Sequence, residues 1–369
     1  MAQFKIEFTD LKKQYKILEN EINLAIKEVI ESAKFINGPQ VSELEQKIAN
    51  YCNTKYGIGV ASGTDALLLS LMAINLEPGD EVITTPFTFI ATAEVITLLK
   101  AMPVFVDIEE DTYNIDVSKI EEKITSKTKA IIPVHLYGQM ADMDEIIEIA
   151  KKYNLFVIED AAQAIGAEYK NRKAGSIGDF GAFSFFPAKN LGCYGDGGMI
   201  VTNNKEFAEK LYMLREHGAK AKYQHSIIGT NARLDTIQAA ILLVKLKYLD
   251  VWIENRIKLA KKYSEKLKNL VKTPYIKSNR KAVFNQYTIR TEKRDELIKF
   301  LNQNGIPTAI HYPKPLHLQE AFSYLGYKKG DLPVSEKVAK EVISLPMYPE
   351  MTEEEQNMVI ETIYNFFEK

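Results

Sequence analysis

The chain has 369 residues, 46% of them hydrophobic, with 47 Lys and Arg against 49 Asp and Glu and a formal net charge of −2. This length points to about two domains around a large core, and the even charge balance excludes a basic surface for nucleic acid or an anionic membrane. Two cysteines, Cys52 and Cys193, are too few for a disulfide framework or a structural zinc site; they fit a reducing compartment, and no metal site is expected.

Residues 1–7 are polar and lack the apolar core of a signal peptide. Residues 9–32 read as an amphipathic helix with Leu11, Tyr15, Leu18, Ile22 and Ile26 on one face. Asn37-Gly38-Pro39 breaks the chain, and 41–49 starts another helix. A short strand at 58–61 runs into Ser62-Gly63-Thr64-Asp65-Ala66, followed by an apolar helix over 67–74. A strand, a Gly-Thr turn and a helix point free amides and a helix dipole at an anion, so Gly63 and Thr64 are expected to form a phosphate cup.

The pattern then alternates. Strands are expected at 81–85, 104–108, 130–134, 156–159, 182–186 and 199–202, with helices such as 91–99, 143–153 and 205–217 between them. Several strands are unbroken apolar runs, which predicts an α/β fold: a mostly parallel sheet with helices on both faces. A helical stretch over 234–270 carries the chain out of this layer. Its most apolar part, 237–244, is followed by Lys245 and is far too short to span a bilayer, so a soluble, cytoplasmic protein is expected. The tail holds strand-like 286–290, a helix near 296–303, strand-like 307–311 and a last helix over 353–367. The expected organisation is a large domain over 1–250, including the amino-terminal helices, and a small α+β domain over 251–369.

Residues 181–198 hold the chemistry. An apolar, aromatic run stops at Pro187, Lys189 follows, and a glycine-rich loop leads to Gly198. This carries one amine to the end of a strand and surrounds it with backbone that approaches a ligand closely. Lysine forms Schiff bases, and burial lowers its pKa enough to make it a nucleophile; the rival reading is a surface lysine in a turn. The run 156–159 ends on Asp160, at the carboxyl edge where open α/β sheets bind ligands. Capping a helix is the rival job for such an aspartate. Pyridoxal phosphate needs a carboxylate on its pyridine nitrogen to keep the ring an electron sink. The chain thus offers a phosphate cup (Gly63, Thr64), a pyridinium partner (Asp160) and a Schiff-base lysine (Lys189), with the Ser184 hydroxyl as a further phosphate donor. Cys193 is read as a small apolar filler rather than a reactive thiol.

The ordered motifs Asn37-Gly38-Pro39, Ser62-Gly63-Thr64-Asp65-Ala66, Thr85-Pro86-Phe87-Thr88-Phe89, 133–139, 159–163, the lysine stretch, 229–235 and His311-Tyr312-Pro313 resemble the DegT-type (DegT/StrS) nucleotide-sugar aminotransferases over nearly the whole chain. The resemblance implies the aspartate-aminotransferase fold (fold type I) and pyridoxal 5′-phosphate as cofactor. It implies that Phe89 stacks on the cofactor ring and that Gln163 lies beside it, near the phenolic oxygen. It further implies a homodimer with shared active sites, in which Asn231 reaches the phosphate of the neighbouring subunit's cofactor. Core packing for Phe89 and a turn for Asn231 are the readings of those residues taken alone. His311, Tyr312 and Arg233 look like substrate contacts; Arg233 either holds a carboxylate by a two-pronged bond or is a surface arginine.

The loop Phe186 to Gly198 looks like that of members acting on 3-keto sugars, with L-glutamate as amino donor, and resembles most those that aminate UDP-2-acetamido-3-keto-glucuronate for surface polysaccharide, lipid A or glycan synthesis. The alternative substrate is a dTDP-linked 3-keto- or 4-keto-6-deoxyhexose. Dehydratases of the family replace the lysine by histidine, which Lys189 argues against. A dinucleotide oxidoreductase would need a Gly-x-Gly-x-x-Gly turn that residues 59–64 do not provide.

Overall fold

A computed structural model describes residues 4–368; Met1, Ala2 and Gln3 of the polar amino-terminal stretch lie outside them, as does Lys369. Seven strands form one sheet in the order Tyr56–Val60, Gly198–Thr202, Phe180–Ser184, Phe156–Asp160, Thr128–Ile131, Glu81–Thr84 and Met102–Phe105. Gly198–Thr202 runs antiparallel to both of its neighbours, while the other neighbouring pairs are parallel.

Successive side chains of a strand point to opposite faces, and here both faces are apolar. Ile83, Ile131, Val157, Phe183 and Val201 feed one core; Val82, Ala130, Ile158, Ala182 and Ile200 feed the other. This is why the strands read as unbroken apolar runs. Helices Pro39–Tyr51, Met143–Tyr153 and Thr236–Leu246 cover the first face, and Gly63–Ala73, Ala91–Leu98 and Lys205–Leu214 the second. At about 2 kcal/mol per buried Ile or Val, these two layers outweigh the exposed ion pairs, each worth roughly 0–1 kcal/mol.

The helix Leu249–Leu267 passes from this layer into a second core. Leu249 and Ile253 pack in the first, Ala260, Tyr263 and Leu267 in the second. There the antiparallel pair Tyr287–Arg290 and Val342–Leu345 packs with helices Arg294–Gln303 and Glu353–Phe367. Ile6 joins the same core. A carboxylate links the two parts: Asp107, just past Met102–Phe105, accepts from Val334 N–H (2.9 Å), Ser335 N–H (2.9 Å) and Ser335 Oγ–H (2.5 Å) at the start of helix Pro333–Glu341.

The α/β class stands, and several details differ from the sequence expectation. Residues 307–311 are not a strand. Pro307 has no N–H to give a ladder, and only Ala309 bridges to Ser344. The stretch 234–270 is two helices, Thr236–Leu246 and Leu249–Leu267, which meet at Lys247 and Tyr248. Helix Pro333–Glu341 and its following strand were not expected at all. The apolar helix Thr236–Leu246 is buried within its own chain, against Leu11–Ser32 and Pro39–Tyr51, through Ala239, Ile241, Leu242 and Val244.

Candidate active site

The carboxyl ends of the parallel strands open on one cleft of about 480 Å³. Gly63 and Thr64 reach it beyond Tyr56–Val60, Phe89 beyond Glu81–Thr84, Asp160 and Gln163 from the end of Phe156–Asp160, and Ser184 and Lys189 from the end of Phe180–Ser184. His311 and Tyr312 line it from the carboxyl-terminal part of the chain.

Local chemistry builds each wall. Ser62 accepts from Asp65 N–H (3.0 Å) and donates to Asp65 Oδ2 (2.8 Å), which starts helix Gly63–Ala73 at the cleft's edge. The first amides of a helix have no carbonyl one turn back, so those of Gly63 and Thr64 are left for an anion. A Cβ added to Gly63 would lie 2.6 Å from Ser184 Cβ, and one on Gly198 2.3 Å from Ser62 O. Only glycine lets these three segments meet.

Asp160 is buried, and no helix starts behind it, so it caps none. Its Oδ2 accepts from Thr92 Oγ–H (2.7 Å) and its Oδ1 from Ala162 N–H (3.2 Å). Thr92 is itself paired with Thr88 Oγ at 3.1 Å. Burial pushes the Asp160 carboxyl above its ordinary pKa, while Thr92, Ala162 and the nearby Lys189 pull it back. Beneath it Glu159, fully buried, accepts from Gly175, Ile177 and Gly178 N–H (2.8, 2.7 and 2.7 Å). His135 Nδ1 accepts from Ala141 N–H (3.2 Å), so its Nε2–H donates to Glu159 (2.8 Å).

Burial lowers the Lys189 amine to a pKa of about 8, against the opposing pull of Asp160. The amine makes no hydrogen bond or salt bridge among the described residues. The Gln163 amide is oriented by Tyr137 N–H, which donates to Oε1 (2.6 Å), leaving Nε2 to donate to Tyr312 OH (3.1 Å). His311 Nδ1 lies 2.9 Å from Ser344 Oγ, and its backbone carbonyl accepts from Tyr137 OH. Burial, with Lys189 nearby, lowers the His311 pKa to about 4, so the imidazole is neutral around pH 7. Phe89 stands 56% exposed in the cleft, its ring 6.3 Å from that of Tyr312.

This donor set fits the pyridoxal 5′-phosphate expected from the sequence. It offers amides and a hydroxyl for a phosphate, an uncovered aromatic face for a ring, a buried carboxylate for a ring nitrogen and an unpaired amine for an aldehyde. Two expected residues stay outside. Asn231 is exposed and Arg233 donates to Glu216 Oε2 (3.0 Å); neither lines the cleft. Sequence reasoning missed Thr92, the His135–Glu159 pair and Asn285. The Thr88-x-x-x-Thr92 spacing, one helical turn, was the available signal for the first; nothing marked Asn285.

A family model described as the DegT/DnrJ/EryC1/StrS aminotransferase family matches residues 16–364. A "Pleiotropic regulatory protein" of Geobacillus stearothermophilus is 54% identical over 366 residues, 98% of each chain. The UDP-2-acetamido-2-deoxy-3-oxo-D-glucuronate aminotransferase of Pseudomonas aeruginosa is 48% identical over 345 residues, 93% of this chain and 95% of its own. The crystal structure of S. venezuelae DesV superposes with a TM-score of 0.97 at 41% identity, covering 100% of both chains.

Proposed function

Because the chain belongs to the DegT/DnrJ/EryC1/StrS aminotransferase family, we propose that it transfers the amino group of L-glutamate to C3 of a UDP-linked 2-acetamido-3-keto hexose or hexuronate. It is a pyridoxal-phosphate-dependent sugar aminotransferase. The observation that carries the finer reading is the 48% identity to the Pseudomonas 3-oxo-glucuronate enzyme, taken with the Phe186 to Gly198 loop. The product feeds surface polysaccharide, lipid A or glycan synthesis.

Each residue has a task in this reading. Gly63, Thr64 and Ser184 would hold the phosphate of pyridoxal phosphate, Phe89 would cover its ring, Gln163 would serve its phenolic oxygen and Asp160 its ring nitrogen; all line the one cleft. Bound pyridoxal phosphate supplies an electron sink for the carbanion formed at the amino-bearing carbon. Lys189 Nζ, with a pKa near 8, takes up and releases a proton around neutral pH without a large driving force either way. Thr92 O–H and Ala162 N–H donate to Asp160 and favour its charged form. His311 and Tyr312 contact the sugar. A neutral His311 orients hydroxyls rather than pairing with a carboxylate.

Asn231 and Arg233 belong to the same reading through a homodimer, each reaching the partner's cleft, since neither lines its own. Tyr223 and Ile228, 84% and 88% exposed, lie shortly before them in the chain and offer apolar surface for a second copy. The chain works in the cytoplasm as a large unit over 1–250 and a small one over 251–369; among the described residues no helix is long and apolar enough to cross a membrane.

The test loads the enzyme with L-glutamate, then offers UDP- and dTDP-linked 3-keto and 4-keto sugars while the yellow cofactor absorbance is followed. Return is expected fastest with UDP-2-acetamido-3-keto-glucuronate. A faster return with a dTDP-linked 6-deoxyhexose would replace this substrate.

A further inference from the structure

Lys189 sits between two residues tied to a distant part of the chain. Asn190 Nδ2 donates to Val283 O (3.0 Å). Asn285 Nδ2 donates to Ala188 O and to Asn190 Oδ1, both at 3.3 Å. Asn285 and Asn190 are 7% and 6% exposed. The orientation of the Asn285 amide is set by Ala188 O, which only accepts, and it agrees with Asn190, whose Nδ2 faces Val283 O and whose Oδ1 therefore faces Asn285. An aspartate of the same shape has nothing to give either neighbour.

The turn that carries Asn285 is itself clamped. Val283 N–H donates to Gly138 O and Asn285 N–H to Tyr137 O, both at 3.0 Å. Arg256, buried on the helix Leu249–Leu267, donates through Nη1 to Phe284 O (3.2 Å), Asn285 O (3.5 Å) and Met347 O (3.3 Å). Between them Phe284 is held at φ 46°, a left-handed conformation that a bulky residue adopts only when its surroundings impose it.

We propose that Asn285 is a positioning residue for Lys189: with Asn190 it grips the backbone on both flanks of the lysine and sets how deep the amine stands in the cleft. This rests on Lys189 being the amine that holds the cofactor. Within its own loop the backbone beside Lys189 is held by Lys189 N–H donating to Phe186 O (2.8 Å), and the 283–285 turn adds a grip on each side of it, at Ala188 O and at Asn190. Displacing a reacting group by about 1 Å costs up to about 100-fold in rate.

The experiment titrates purified holoenzyme of Asn285→Ala and Asn285→Asp with pH, following visible absorbance, with kcat, KM and Tm measured alongside. The expected result is a kcat lower by about tenfold for Asn285→Ala and by more for Asn285→Asp, with KM for L-glutamate within about twofold. The pH midpoint of the absorbance change is expected to move by at least about half a unit, because the amine's surroundings change. A fold brace alone would lower Tm and leave that midpoint at the wild-type value, and that result overturns the proposal. Should Asn285→Asp fail to fold, Asn190→Ala frees the other flank and must move the midpoint in the same direction as Asn285→Ala; an unmoved midpoint there overturns it equally. Lys189→Ala separates the two readings. If it keeps the wild-type visible spectrum, Lys189 is not the amine and this proposal falls with it. If it loses that spectrum while the Asn285 variants keep their midpoint, only this proposal falls.

Discussion

Asp160 is asked to stay charged in a place that penalises charge, and the hydrogen bonds from Thr92 and Ala162 offset part of that cost. Asp160→Asn keeps the shape and loses the charge, so it should retain the cofactor but lose about 100-fold or more in kcat. Wild-type turnover by that variant would move the ring-nitrogen partner elsewhere. Lys189 gives a second test, and the sign is simple. Its pKa of about 8 lies below the ordinary lysine value of about 10.4, so deprotonation begins at lower pH. Labelling of Lys189 by an amine-directed reagent in cofactor-free protein should therefore rise with a midpoint near 8, reactive above and protected below; a midpoint near 10 would mean an exposed, ordinary amine. Both residues were legible because each ends an apolar run, which marks a polar side chain delivered to the end of a buried strand. Thr92 and Asn285 each follow only three apolar residues, Phe89-Ile90-Ala91 and Ala282-Val283-Phe284, and a neutral Thr or Asn after so short a run reads equally well as a turn residue.

Helices and strands followed their patterns wherever one face met one core. Residues 143–153 and 353–367 are helices to the residue, since their apolar positions repeat at the helical period. Failures came where tertiary contacts decide. Helix Pro333–Glu341 is short, and its capping oxygen comes from Asp107, more than two hundred positions earlier, which no local pattern displays. Asp107→Ala should therefore destabilise the protein by about 2 kcal/mol, a lost cap plus a lost charge at a helix start. The loss should appear as a lower urea midpoint with an unchanged m-value. A midpoint within error of wild type would show that the helix is held by its apolar face alone.

The whole molecule raises the matter of whether one chain makes one site. The apolar helix Thr236–Leu246 gives no argument for a partner, since its own chain covers it. The argument rests instead on Asn231 and Arg233, which lie away from their own cleft. Lys189→Ala and Asn231→Ala protomers, each impaired alone, should regain activity when mixed under subunit exchange, up to half of wild type per dimer, because one site then carries both lesions and the other neither. Absence of recovery, or an active monomer in solution, would place both residues outside the catalytic unit. The reversed strand Gly198–Thr202 has a consequence of another kind, for the order of assembly. It joins Phe180–Ser184, its near neighbour in sequence, to Tyr56–Val60 from the first quarter of the chain. The turn at Gly63 and the loop of Lys189 therefore become neighbours only when this distant pairing closes, and pairings of such long sequence separation form slowly. A partly folded chain has no completed seat for a reactive aldehyde, and colour arrives only with the finished sheet.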